Sequence, residues 1–175
     1  MRADLPAGCP DDACRLAGGH NDPVRISAKV DYAMRALVEL AANGNGSPVT
    51  AERLAEAQGI PQKFLQNILL ELRRAGIVAS HRGPDGGHVL AKAPDRITVA
   101  DVIRAVDGPL GSVAGRAPED MEYQGSTKRL RDTWVAVRAS VRSVLEGITL
   151  EDIASDHLPP SIANLLDGTD AWVRR

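Results

Sequence analysis

The sequence has little of three features that would assign it to a familiar class. Five of its 175 residues are aromatic, two are cysteines, and no apolar run approaches the roughly 18 residues of a membrane span. So few aromatic rings argue against a nucleic-acid platform built on base stacking, and the apolar pattern excludes a transmembrane helix. With so few cysteines, we expect the protein in the cytoplasm.

Residue patterns typical of enzymes are also missing. Ser80, His81 and His88 lie near one another, but no carboxylate stands at a spacing that indicates catalysis. Gly86-Gly87 lacks the Lys-Ser/Thr pair of a phosphate-binding loop. We therefore predict that the chain is not an enzyme and uses no cofactor, while 43% hydrophobic residues suit one compact domain with an accessory helix.

Residues 49–75 have the pattern of two helices around a short turn. Thr50 is a good N-cap, apolar residues recur at helical spacing after it, and Gly59 ends the first helix. Pro61 suits the start of the second helix, because a missing amide hydrogen costs nothing there. The pattern predicts a helix-turn-helix whose second helix runs from about Gln62 to Ala75.

The second helix has two distinct faces. One is an apolar stripe that we expect to be packed: Phe64, Leu65, Ile68, Leu69 and Leu72. The other carries Lys63, Gln66, Asn67, Leu70 and Arg74. Gln and Asn can bond adenine edges and Lys can bond guanine or phosphate, so this face has the chemistry of major-groove recognition. A solvated helix face is the alternative.

A hairpin follows the two helices. Strand-like runs at 77–80 and 88–90 bracket a glycine-rich tip that contains Arg82, which predicts a wing. An arginine on such a tip is suited to a narrow minor groove. The predicted contacts with double-stranded DNA are therefore Gln62, Lys63, Gln66, Asn67 and Arg74 from the helix and His81, Arg82, Gly83 and Gly86 from the wing.

Helical patterns flank this unit on both sides. An apolar stripe from Val30 to Ala41 predicts a backing helix, and Thr98 with Asp101 forms a capping box for another helix that Gly108-Pro109 ends. The predicted fold is mainly α: a winged helix-turn-helix of three helices and a two-stranded wing over residues 25–108, with a long C-terminal dimerisation helix.

The last third of the chain is predicted to make the dimer. A helix over 126–146 carries a heptad-like apolar seam: Leu130, Trp134, Val137, Val141 and Val144. We interpret it as a dimerisation helix, the alternative being packing within its own domain. The loop 109–125 before it is a candidate for effector response or a mobile connector, and short helices at 149–154 and 159–166 are expected to brace the dimer.

Charge is unevenly distributed. Residues 1–24 carry 2 basic and 4 acidic side chains, residues 25–104 carry 11 and 8, and residues 105–175 carry 8 and 11. The excess of positive charge thus lies on the predicted DNA-binding unit. There it would give a modest electrostatic attraction to DNA.

Four blocks of residues together resemble the Rrf2 family of bacterial transcription regulators: R-I-S-A-K-V-D-Y-A-M-R-A-L-V-E-L-A at 25–41, G-I-P-Q-K-F-L-Q-N-I-L at 59–69, R-G-P-D-G-G-H at 82–88 and I-T-V-A-D-V-I-R-A-V-D-G-P-L at 97–110. The resemblance implies a dimeric winged-helix protein that binds palindromic operators. It implies base and phosphate contacts at Lys63, Gln66 and Arg82 and phosphate neighbours at Lys29 and Tyr32. Asp31 departs from members that have Arg there.

The resemblance also implies a metal cofactor, but this chain lacks the residues that would hold it. Many members sense redox state, nitric oxide or iron through an iron-sulfur cluster held by three cysteines after D-G-P, whereas residues 107–125 contain none. We therefore expect no such cluster and no other metal site. Cys9, Cys14 and His20 are the alternative metal ligands, in a leader (1–24) that we expect to be disordered. Val24 stands where the family opens with Met, so it is a hypothetical true start.

These observations lead to one leading prediction and two alternatives. The leading prediction is a homodimeric regulator, acting as a repressor on a near-palindromic operator, with a small-molecule or protein effector and no membrane partner. The alternatives are a metal or thiol sensor and a winged-helix adaptor that binds protein.

Overall fold

The structure is a computed structural model that describes residues 26–44 and 46–173. The α-helices and strands within those ranges are α1 (Ala28–Ala42), α2 (Ala51–Gln58), α3 (Gln62–Arg74), β1 (Val78–His81), β2 (Gly87–Leu90), α4 (Val99–Val106), α5 (Leu130–Glu146), α6 (Leu150–Ala154) and α7 (Pro160–Leu166). Short 3-10 helices lie at Pro94–Arg96, Pro118–Asp120, Gly125–Thr127 and Thr169–Trp172. This architecture confirms the predicted mainly helical fold with a two-stranded wing. The predicted leader, with Cys9, Cys14, His20 and Val24, lies outside the described residues.

The helix-turn-helix begins and ends where its capping residues predict. The Thr50 side chain accepts a hydrogen bond from the Arg53 amide, and Gly59 adopts the left-handed conformation at the end of α2. Pro61 directly precedes α3. The turn therefore positions α3 through backbone geometry that a different residue at Gly59 would strain.

One hydrophobic core unites α1 to α4. The side chains at its centre are at most 1% exposed and come from every one of these helices: Ala33, Ala36, Leu37, Leu54, Leu65, Ile68, Leu69, Leu72 and Val102. Burial of this apolar area is the main favourable term in folding, so it fixes the orientation of α3 against α1 and α2.

The two strands of the wing are antiparallel. The segment that contains Val49 joins the wing to the helix-turn-helix. Ser80 pairs with His88 and His81 with Gly87 in the β1–β2 register. On its other edge, His88 exchanges two backbone hydrogen bonds with Val49, of 2.8 and 3.0 Å. A Cβ at Gly87 would lie 2.6 Å from the Val49 backbone. Glycine is therefore required there by close backbone approach.

Helix α6 belongs to the same core, and the prediction that the segment 149–154 braces a dimer stays a prediction. The Leu150 side chain is fully buried, and its amide donates to the Ile97 carbonyl at 2.9 Å. A capping box of Thr149 and Asp152 starts α6, as Thr98 and Asp101 start α4. The C-terminal third thus returns to complete the core of the winged helix-turn-helix.

The loop before α5 and the start of α5 also differ from the prediction. The 3-10 turn at Gly125–Thr127 delays the helix until Leu130, four residues after the predicted Ser126. Within the loop, Val113 pairs with Arg116, and Pro118 is buried. Helix α5 has 17 residues and none of them is buried. No helix in the described ranges is long and apolar enough to cross a membrane.

Candidate nucleic-acid interface

Helix α3 presents a polar face outward, opposite its buried face. Leu65, Ile68, Leu69 and Leu72 are at most 1% exposed, whereas Lys63, Gln66, Asn67 and Arg74 are all exposed. The two faces follow from the 3.6-residue period of the helix. Four of the predicted helix contacts therefore lie on accessible surface.

Phe64 was predicted in the packed stripe, and this prediction is wrong. The side chain is 42% exposed, because it lies at the margin of the core and packs edge-on against the ring of Tyr32, with centroids 5.8 Å apart. The Arg35 guanidinium lies 5.6 Å from the centre of the same Tyr32 ring. These contacts hold Tyr32 beside the first turn of α3.

Two other predicted contact residues are engaged inside the domain. The Gln62 amide donates to Glu52 at 2.6 Å. The pKa of Glu52 is lowered by its own backbone hydrogen bond and by Thr50. The Lys29 ammonium contacts the Val106 carbonyl and the Glu71 carboxylate, both at 2.6 Å, and its side chain is 30% exposed. The predicted DNA contacts of Gln62 and Lys29 would compete with these partners.

The wing tip presents the remaining predicted residues. His81, Arg82 and Gly83 are exposed. The Gly86 amide donates to the Gly83 carbonyl at 3.0 Å, and a Cβ at Gly86 would lie 2.5 Å from the His81 carbonyl oxygen. The tip is therefore a tight turn whose backbone allows close approach, with the Arg82 side chain at its edge.

A shallow groove joins the face of α3 to the wing. Its volume is about 350 Å³, and its lining comes from both elements: Gln66, Asn67, Leu69, Leu70, Arg73, Ser80 and His88. Arg73, Ser80 and His88 were not predicted at the site. The pairing of Ser80 with His88 across the hairpin is the signal that could have found the last two, because cross-strand partners share one face.

Ser80 and Arg73 set the environment of His88 in the groove. The Ser80 hydroxyl lies 3.3 Å from its Nδ1. Burial lowers the pKa of His88 below its usual value, and the charge of Arg73 lowers it further. Its imidazole is thus biased toward the neutral form, which can both donate and accept hydrogen bonds.

The predicted dimerisation seam lies on a separate surface. Leu130 and Trp134 are each 37% exposed, and Val137 is 46% exposed. Val141 and Val144, further along α5, are half-buried. Helix α5 therefore carries apolar area that its own domain does not cover. Within residues 26–44 and 46–173, no three His, Cys, Asp or Glu side chains gather as a metal site.

Comparison with known sequences gives one consistent family. The Rrf2 family profile, described as iron-dependent transcriptional regulators, matches residues 26–156. A Mycobacterium tuberculosis protein provisionally named an HTH-type transcriptional regulator is 49% identical over 144 residues, covering 82% of this chain and 89% of that protein. The HTH-type transcriptional regulator CymR of Bacillus subtilis is 36% identical over 132 residues, covering 75% and 91%.

Solved structures agree with the sequence relatives. CymR, named the global cysteine regulator of B. subtilis, superposes with a TM-score of 0.65 at 35% identity, covering 77% of this chain and 98% of that one. IscR of T. potens gives a TM-score of 0.62 at 32% identity, covering 76% and 88%. The chain therefore belongs to the Rrf2 family of winged-helix, DNA-binding transcriptional regulators and is not an enzyme.

Proposed function

We propose that the chain is a cytoplasmic, homodimeric repressor that binds a near-palindromic operator. The observation that supports this most directly is the groove in which Gln66 and Asn67 of α3 meet Ser80 and His88 of the wing. Because helix and wing adjoin on one side, α3 can enter a major groove while the wing tip reaches the neighbouring minor groove. Occupancy of the operator would then block transcription.

Within each half-site, the contacts divide by chemistry. Gln66 and Asn67 can each form two hydrogen bonds with an adenine edge, and Lys63 can bond guanine acceptors or phosphate. Arg82 is exposed at the wing tip, where the negative potential of a narrow minor groove would attract its guanidinium. Specific contacts of this kind matter more here than overall attraction, because the chain has a net charge of −2.

The seam of α5 supports the dimer. A 17-residue helix with no buried residue and an exposed Leu130, Trp134 and Val137 would gain most by pairing with a second copy. A twofold axis between two such helices would set the two α3 helices about one DNA turn apart, roughly 34–36 Å. Near-palindromy of the operator follows from that symmetry.

We also propose that this regulator works without the cluster that the iron-dependent description of the family implies. The loop 107–125 contains no cysteine, so it cannot supply three thiolates. Its side chains make other contacts: Glu119 pairs with Arg138 at 2.5 Å, and Pro118 is buried. These residues do not fit an iron-sulfur cluster. The effector would then be a small molecule or a protein.

The alternatives are separable from this proposal by simple measurements. Cys9 and Cys14 lie outside the described residues, and iron or zinc in the purified native protein would favour a metal sensor instead. An adaptor that binds protein would be favoured if the purified chain showed no salt-dependent binding to any genomic fragment.

The decisive experiment is capture of genomic DNA by the purified protein, followed by affinity measurements on the recovered operator. Arg82→Ala should cost about 1–3 kcal/mol and weaken discrimination at one base step per half-site. Arg129→Ala removes the same charge from a side chain that is 90% exposed and directly precedes α5, so it serves as the matched control. Equal weakening by both variants would contradict groove recognition by Arg82.

A further inference from the structure

A second pocket lies away from the nucleic-acid interface, where α4, the following turn and α5 meet. Its volume is about 320 Å³, and it is lined by Arg104, Gly108, Pro109, Leu110, Arg138 and Arg142. Arg104 comes from the last turn of α4, while Arg138 and Arg142 are one turn apart on α5. Three cations from two elements thus converge on one cavity of the size that small ligands occupy.

The carboxylates around the pocket leave guanidinium donors free. Glu146 pairs with Arg104 and also lies 3.8 Å from Arg142. Asp101 lies 3.5 Å from Arg104, and the Thr98 amide shares that same carboxylate. Because one Glu146 serves two guanidiniums, each with about five N–H donors, Arg142 retains most of its hydrogen-bonding capacity.

The third cation is fixed by the loop rather than free in solvent. The Arg138 side chain is 16% exposed and contacts Glu119 at 2.5 Å. A Cβ at Gly111 would lie 2.9 Å from its Cγ, so the loop runs directly along the stem of Arg138. This packing holds the Arg138 guanidinium in place before any ligand arrives, which reduces the entropy cost of binding.

We propose that this arginine pocket binds a compact dianion, such as phosphate or a short dicarboxylate, whose oxygens replace Glu146 on Arg104 and Arg142. Paired anionic oxygens match the planar guanidinium fork bidentately. A dianion brings more charge than the single carboxylate that it displaces. Glu146 is then an internal competitor for the same two guanidiniums.

Displacement of Glu146 would change the connection between the two halves of the chain. The Arg104–Glu146 pair joins α4, whose Val102 and Ile103 lie in the core, to the end of α5. A ligand that bridges Arg104 to Arg138 and Arg142 would connect α4 to a different part of α5. Arg142 and Arg138 lie one and two turns before Glu146. This coupling rests on the proposed dimeric operator binding, whereas the anion binding itself does not.

Calorimetric titration of the full chain tests the pocket without DNA. Phosphate and malonate are titrated separately at constant ionic strength, with chloride as the reference anion. We expect saturable binding of at least one dianion, weakened about tenfold or more in Arg142→Gln. Arg142 is 48% exposed, so this variant should fold. Arg131→Gln removes the same charge from the same helix and should bind as the native chain does.

Glu146→Gln separates a ligand site from a merely structural ion-pair network. Removal of the competitor should tighten dianion binding several-fold, whereas a structural network predicts a less stable fold with no change in affinity. The proposal is overturned if neither dianion binds saturably, or if Arg142→Gln and Arg131→Gln bind equally. Operator affinity measured with and without the bound dianion then tests the coupling, whereas no DNA binding in either condition would count against the proposed function.

Discussion

Removal of the Trp134 ring should dissociate the proposed dimer without unfolding the protomer. Trp134 is 37% exposed on α5. Since a tryptophan buries up to about 250 Å², roughly 90 Å² of it remains for a partner. At about 25 cal/mol per Å², covering that area stabilises the dimer by about 2 kcal/mol per protomer. A twofold axis repeats this contact, so both tryptophans contribute. Trp134→Ala should therefore weaken dimerisation about a thousandfold.

Sedimentation equilibrium over a range of concentrations measures this change, and circular dichroism checks that the helices persist. The matched control is Trp172→Ala, because Trp172 is 75% exposed and lies outside α5. A dissociation constant for Trp134→Ala equal to that of the native chain would refute the seam as the dimer interface. So would an equal loss in the control.

Three further predictions concern the domain itself. Leu150→Ala empties a fully buried position and should lower the free energy of unfolding by about 2–5 kcal/mol in denaturant titrations; a value below about 0.5 kcal/mol would place α6 outside the core. Gly87→Ala puts a methyl group 2.6 Å from the Val49 backbone and should destabilise the wing by about 1–3 kcal/mol and weaken operator binding, with native-like affinity as the contrary result. Burial and Arg73 lower the folded-state pKa of His88, so the unfolded chain takes up the proton first and stability should fall as pH drops below about 6.5; His88→Gln should flatten that dependence, and an unchanged slope would exclude His88 as its cause.

Local signals in the sequence predicted the local structure accurately. Thr50, Gly59 and Thr98 cap helices as expected, because capping depends on hydrogen bonds within three or four residues. Helical periodicity separated the buried and exposed faces of α3. The strand-like runs and the glycine-rich tip predicted the wing in the same way.

Contacts between distant segments could not be predicted in this way. Leu150 is buried beside Ile97, more than fifty residues earlier, and a five-residue helix carries no pattern that names its partner. The resemblance implied a phosphate neighbour at Lys29, yet its ammonium contacts the Val106 carbonyl and the Glu71 carboxylate from two later helices. Phe64 is hydrophobic but lies at the margin of the core, where it packs against Tyr32 from another helix.

The backbone ladder between Val49 and His88 has a mechanical consequence for the choice of operator. It joins the wing to the segment that enters α2, so wing and α3 are expected to tilt as one rigid body. In the proposed dimer, an operator with one more or one fewer central base pair would therefore not be accommodated by bending within a protomer. Any tolerance for half-site spacing would then come from rotation of one protomer against the other.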